Sequence, residues 1–122
     1  MVHLIDCPPG TSCNVVATLE YSHGAILVTE PSEFGLYDLK MAVELVKMHN
    51  IPFGIVINKD DGKDNIIKKY CRDEEIKLIG IIPYSRTTAI LYSNWEVFYG
   101  NLEHKSLFDE LSRSVKEVLK WN

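Results

Sequence analysis

Several absences in these 122 residues narrow what the chain can be. Lys and Arg form no cluster: 13 basic and 17 acidic residues are interspersed and leave a net charge of −4. Nucleic acids and anionic membranes are held by concentrated positive charge, so neither is an expected partner. No apolar run approaches the ~20 residues that a membrane-spanning helix requires. The chain does not open with a basic stretch followed by an apolar one, so no signal peptide is expected and a cytoplasmic setting fits best. Cysteine is scarce, and Cys7, Cys13 and Cys71 form no CxxC pair. An odd count of this kind argues against a disulfide framework. Cys7 and Cys13 flank one loop, where they either meet as metal ligands or a redox pair or simply fill tight space. His3, His23, His49 and His104 are scattered, and neither Ser12 nor Cys13 stands in a nucleophile-elbow pattern, so a hydrolytic triad is not expected.

What is present is a rhythm. Four short apolar runs, Val2–Ile5, Ala25–Val28, Phe53–Ile57 and Leu78–Ile82, are separated by polar and helical material. They mostly lack apolar/polar alternation, which suits strands buried on both faces of a parallel sheet. Between them, 33–49 reads as a helix capped by Ser32, with Leu36, Leu39, Val43 and Val46 as its apolar stripe. Residues 64–75 form a shorter helix with Ile67, Tyr70 and Cys71 inward. A last helix over 106–120 carries Leu107, Phe108, Leu111, Val115, Val118 and Leu119. Its basic residues are balanced by Asp109, Glu110 and Glu117, so it is expected to pack on the sheet and not on a membrane. Residues 94–103 have no period and read as a surface excursion. The expectation is one α/β domain over 1–122, with a mostly parallel sheet of about four strands flanked by helices.

In open parallel sheets, ligands sit beyond the carboxyl ends of the strands. The first run ends in Asp6, followed by Pro8, Pro9 and Gly10. A strand ending in an acid matches a Walker B element, whose carboxylate holds Mg²⁺ against nucleotide phosphates. Two prolines fix the approach to Gly10, and a residue without a side chain lets a phosphate come close. The bland reading of the same residues is a turn-capping acid in a stiff loop. The third run ends in Asn58-Lys59-Asp60-Asp61, which spells NKxD, the element that reads a guanine base, with Asn58 and Asp61 in the reading positions. The same tetrapeptide also makes an ordinary turn. The fourth run ends in Pro83 and Tyr84.

The segments DCPPGTSC, LVTEPSEFGLYDLKMAVEL, GIVINK and IIPYS, in this order and spacing, resemble the MinD/Mrp branch of the P-loop ATPases, in the SIMIBI group. The nearest likeness is to MinD-type ATPases that carry an inserted ferredoxin domain, and it covers nearly the whole chain. The resemblance implies that Asp6 is the Walker B acid and that Pro8, Pro9 and Gly10 belong to the loop sensing the γ-phosphate. It implies that Asn58 meets adenine and that Pro83 and Tyr84 line the base pocket; Asp61 leaves guanine open. Members of the family begin with a Gly-rich P-loop, yet no G-x-x-x-x-G-K-[ST] occurs here, and the one Gly-Lys pair, Gly62-Lys63, is followed by Asp64. The ferredoxin cysteines are absent as well. The resemblance therefore covers only the C-terminal half of such an ATPase.

Three expectations follow. Mg-ATP binds only with a P-loop supplied in trans, with Asp6 facing the metal, and the chain alone does not hydrolyse it. The P-loop strand, which in the family lies between the strand ending at Asp6 and the one ending near Thr29, leaves two strand edges to be satisfied. They close on each other, or pair in a homo-oligomer, or receive a strand from a partner bearing the P-loop and a ferredoxin domain. Iron–sulfur or redox work is the implied context. The alternative is a stand-alone interaction or scaffold module that has lost nucleotide binding.

Overall fold

The structure is a computed structural model and describes residues 3–86 and 102–120. In chain order its elements are helix α1 (Cys13–Glu20), strand β1 (Ala25–Thr29), helix α2 (Glu33–Met48), strand β2 (Phe53–Asp60), helix α3 (Ile66–Asp73), strand β3 (Leu78–Pro83) and helix α4 (Leu102–Leu119). The three strands form one parallel sheet in the order β1-β2-β3, so the fold is α/β with helices around a parallel sheet. Consecutive strands are sheet neighbours, and α2 and α3 are the crossovers that parallel pairing demands.

Strand β2 is the centre. Gly54, Ile55, Val56 and Ile57 are all buried, which is why the run lacks alternation. Ile55 and Ile57 face α2 and α3 and join Leu39, Val43, Ile67 and Cys71 in the core. Helix α4 covers β2 and β3 from the other side, with Leu111 beside Gly80. Burying a side chain of this size stabilises by about 1.5–3 kcal/mol, so these few aliphatics carry much of the fold.

Local chemistry sets the helix ends. Ser32 caps α2 by accepting the Gly35 N–H at 2.9 Å, and Asn65 caps α3 by accepting the Ile67 and Lys68 N–H groups at 3.1 Å. Glu33 in the first turn of α2 and Lys47 in its last turn both suit the helix dipole. Asn50, at φ 55°, ends the helix in the left-handed conformation that asparagine tolerates.

The sequence reading needs correction at four places. His3–Ile5 is not a strand: it lies outside the sheet, with Leu4 84% and Ile5 62% exposed, and Val2 lies outside the described residues. A strand exists only when a neighbour takes its ladder bonds; among the described residues β1 pairs with β2 alone, and a groove stands between β1 and this segment. The two edges thus do not close on each other. Residues 13–20, to which the sequence reading assigned no element, form α1 behind Ser12. The third helix starts at Ile66 and not at 64, because Asn65 is its cap. The last helix starts at Leu102, four residues before the expected 106; of the expected excursion over 94–103, residues 94–101 lie outside the described residues.

The cover on the sheet is uneven. Leu27 packs against the α2/α3 core, so Ile26 and Val28 point to the opposite face. Val28 is the sheet neighbour of the buried Val56 yet is itself 62% exposed, because α4 contacts β2 and β3 and leaves that face of β1 open. Among the described residues, β1 is therefore an edge strand with a bare apolar face.

Candidate functional site

The carboxyl ends of the three strands meet where the sequence places its candidates. Asn58 and Lys59 interrupt the ladder: Ile57 pairs with Ile81 and Asp60 with Pro83, so β2 uses one residue more than β3. Lys59 absorbs the extra residue at φ 54°, a bulge that bends the strand end. Its ammonium reaches Glu30 Oε1 at 3.2 Å and links the tips of β2 and β1. Both groups are well exposed, so this pair contributes no more than about 1 kcal/mol.

After the bulge, Asp60 turns inward and is 4% exposed. Its carboxylate accepts the Gly62 N–H at 2.9 Å, the Asn65 amide at 3.0 Å and the Lys68 ammonium at 3.2 Å. Lys68 also donates to the Lys63 carbonyl at 2.6 Å. These bonds fold Asp60–Lys68 into a stapled loop. Asp61 is exposed, and its carboxylate accepts the Lys63 N–H at 3.0 Å as an ordinary turn acid. Gly62, at φ 81°, supplies the backbone that the turn requires. Just beyond, Arg72 grips Asp64 with two bonds of 2.8 and 3.0 Å, and this holds the Asp64 carboxyl below the usual carboxylate range. Asn58 is half-buried, and its Oδ1 accepts the Lys59 N–H at 3.0 Å. The Tyr84 N–H donates to the Asp60 carbonyl at 2.8 Å, which ties the end of β3 to that of β2. Asn58, Asp61, Pro83 and Tyr84 are thus gathered at one end of the sheet by β2–β3 pairing.

The other candidates lie across a groove of about 880 Å³. One wall is His3–Gly10, with Asp6, Pro8, Pro9 and Gly10 all exposed; the opposite wall is β1 with the flank of α2, and Asn58 reaches its rim. Gly10 adopts φ 104°, open only to glycine at low cost, and a Cβ there would meet nothing within 4 Å. Asp61, Pro83 and Tyr84 do not border the groove. Asp6, Glu30 and Asp38 do, whereas no Lys or Arg is among its described lining residues. The groove is thus apolar along β1, with Asp6, Glu30 and Asp38 as its carboxylates and His3 and His23 among its other polar side chains. A triphosphate alone would find no lysine or arginine among its described lining residues.

Sequence reasoning missed the part played by Asp60, Asn65 and Lys68. The available signal was Asn65 in cap position before an amphipathic helix; the inward turn of Asp60 follows from a bulge that no residue pattern announced.

Among the described residues no group of three or more His, Cys, Asp and Glu side chains could hold a metal ion. Cys7 and Cys13 are free and exposed, while Cys71 is buried in the core, and burial pushes its thiol pKa up. Iodoacetamide applied to the folded chain at neutral pH is therefore expected to modify Cys7 and Cys13 and to spare Cys71 until denaturant is added. Peptide mass spectrometry reads this directly, and equal labelling of all three would contradict the packing around Ile67 and Cys71. No helix among the described residues is long and apolar enough to cross a membrane.

No family model matches the chain. It is 28% identical over 120 residues, 98% of its own length, to an uncharacterized protein of Methanocaldococcus jannaschii. It is 41% identical over 59 residues, 45% of its length, to an iron–sulfur cluster carrier protein of the same organism. The chain spans 39% of the first relative and 20% of the second. Partial similarity to an iron–sulfur cluster carrier thus accompanies an α/β fold with a parallel sheet.

Proposed function

We propose that this chain is the Walker B and base-binding half of a MinD/Mrp-type P-loop ATPase, and that it works with a polypeptide segment bearing the P-loop in an iron–sulfur or redox context. The observation that carries the reading is the groove between His3–Gly10 and the open edge of β1, apolar along the strand and with Asp6, Glu30 and Asp38 as its carboxylates. A parallel strand entering there would satisfy the free edge of β1, cover Val28, and give His3–Ile5 the neighbour it lacks. A P-loop lysine arriving with that strand would come to a groove bordered by the carboxylates Asp6 and Asp38, while Glu30 already pairs with Lys59.

In that assembly Asp6 would hold the Mg²⁺ of the nucleotide, Pro8, Pro9 and Gly10 would form the loop beside the γ-phosphate, and Asn58 would meet the base near Pro83 and Tyr84. Mg-ATP would supply a hydrolysable phosphoanhydride whose presence or absence the loop reports. Adenine is the first choice; the turn bond that occupies Asp61 Oδ1 weakens the case for guanine without removing it. The similarity to an iron–sulfur cluster carrier supports the redox context.

The test is a titration of Mg-ATP and Mg-GTP into the chain while backbone amide signals are followed. Shifts confined to Asn58, Tyr84 and their neighbours, saturating only in the millimolar range, are the expected result. Micromolar affinity in the chain alone would contradict the need for an added P-loop. No shift at any concentration would overturn the base pocket and leave the second reading, an interaction module, which the exposed Phe34, Tyr37, Met41 and Met48 on α2 favour.

A further inference from the structure

Cysteine is among the residues most often buried, and Cys71 in the core follows that habit. Cys7 and Cys13 do not: both are free and exposed, so neither of them fills tight space. They stand on the two sides of one short loop, Pro8-Pro9-Gly10-Thr11-Ser12. Exposed thiols are open to oxidants and thiophilic ions, so two of them this close in sequence require an explanation.

The loop turns between them. The chain bends at Pro9 and Gly10, midway from one cysteine to the other, and Gly10 takes φ 104°. Cys13 is the first residue of α1, so the far end of the loop is set by a helix; Ser12 precedes it without a side-chain capping bond. The near end is untied: among the described residues, residues 3–11 make no hydrogen bond or ion pair. The limb carrying Cys7 therefore moves without breaking a bond. A disulfide asks only that the two Cα atoms come within about 4.4–6.8 Å. Closing so short a loop costs little entropy, and each thiol meets the other at an effective concentration on the order of millimolar. A metal ion is the other chemistry that paired thiols serve, but a thiolate site of that kind needs four ligands. Among the described residues no third His, Cys, Asp or Glu completes one.

We propose that Cys7 and Cys13 form a reversible dithiol–disulfide switch in the wall of the groove. Cys7, Pro9 and Gly10 line one part of that wall, and Val15, Thr18 and Leu19 of α1 line another. The disulfide ties the two parts together, and reduction lets the limb before Gly10 move independently of α1. The oxidant is a low-molecular-weight disulfide. The thiolate of one cysteine attacks it and releases one small thiol, and the sulfur of the second cysteine displaces the other. Two S–H bonds of the protein and the S–S bond of the oxidant are lost, one S–S bond forms in the protein, and two electrons and two protons leave on two small thiols. In reducing compartments such bonds are transient, which suits a sensor and not a fixed staple. The switch needs the groove and no nucleotide, so its failure leaves the nucleotide reading intact.

The test equilibrates the whole chain in glutathione buffers of rising oxidised fraction, quenches it with acid, and alkylates it with iodoacetamide in denaturant. The reduced chain should take up label at all three cysteines. The oxidised chain should be labelled at Cys71 alone, with the peptide that holds Cys7 and Cys13 two hydrogens lighter. Amide exchange in α1 should slow by about ten- to fifty-fold on oxidation, as closure of so short a loop gives, while α3 and β2 exchange as before. Cys7→Ser and Cys13→Ser should each abolish both effects and leave the circular dichroism melt of the reduced chain unchanged, because both side chains are exposed. Glutathione retained on either cysteine, a bond between two chains, or zinc held by both thiols in place of the disulfide would overturn the proposal. So would a disulfide that forms and leaves exchange in α1 unaltered.

Discussion

Replacing Asp60 by alanine is expected to cost about 3–4 kcal/mol, enough to bring a domain of ordinary stability near its unfolding threshold. The carboxylate is 4% exposed and accepts three bonds, one of them from Lys68, whose side chain is only 17% exposed. Without it, the Gly62 N–H, the Asn65 amide and the Lys68 ammonium lose their acceptor in a place that water reaches poorly. Its neighbour is the control. Asp61→Ala removes one exposed turn acceptor and should shift stability by less than about 1 kcal/mol. Urea unfolding of the two variants separates them by midpoint at unchanged slope. Equal midpoints would mean that the staple from Asp60 to Asn65 and Lys68 does not hold in solution.

The second large effect belongs to the central strand. Ile57→Ala removes a side chain with no solvent exposure that packs among Leu39, Val43, Ile55, Ile67 and Cys71, and the expected loss is about 2–5 kcal/mol. Val28→Ala, on the bare face of β1, should change stability by no more than about 0.5 kcal/mol. The pair of variants measures how one-sided the cover on the sheet is. A large loss at Val28 would show that this face is covered in solution, either by a second copy or by residues beyond those described.

The contrast between these positions also explains what was legible in the sequence. Buried strands and capped helices carry local signatures: the unbroken aliphatic run of β2, the Ser32 cap, and the spacing of Leu39, Val43 and Val46. Each follows from which residues avoid water and which satisfy helix ends, so each was readable. His3–Ile5 was not, because its aliphatics are as strand-like as those of β3 but a strand is defined by its neighbour. The short helix α1 was hidden by its eight residues, two turns with a single buried side chain, Leu19. At the site, the collection of Asn58, Pro83 and Tyr84 at one end of the sheet follows from parallel pairing and could be anticipated. The exchange of roles between Asp60 and Asp61 could not. It depends on a left-handed residue, Lys59, for which lysine gives no warning.

The sequential strand order has a kinetic consequence. Each new strand from β1 to β3 lands beside the one just made, so every crossover closes a local loop and the ordering entropy is met in small steps. The unit β1-α2-β2-α3-β3 can nucleate around Ile55 and Ile57 without waiting for His3–Gly10 or for α4. Those flanking segments are then latecomers, added to a finished platform, and their opening need not unzip the strands beneath them. The groove lies on that seam between early and late structure, where docking and release demand the least disruption of what has already folded.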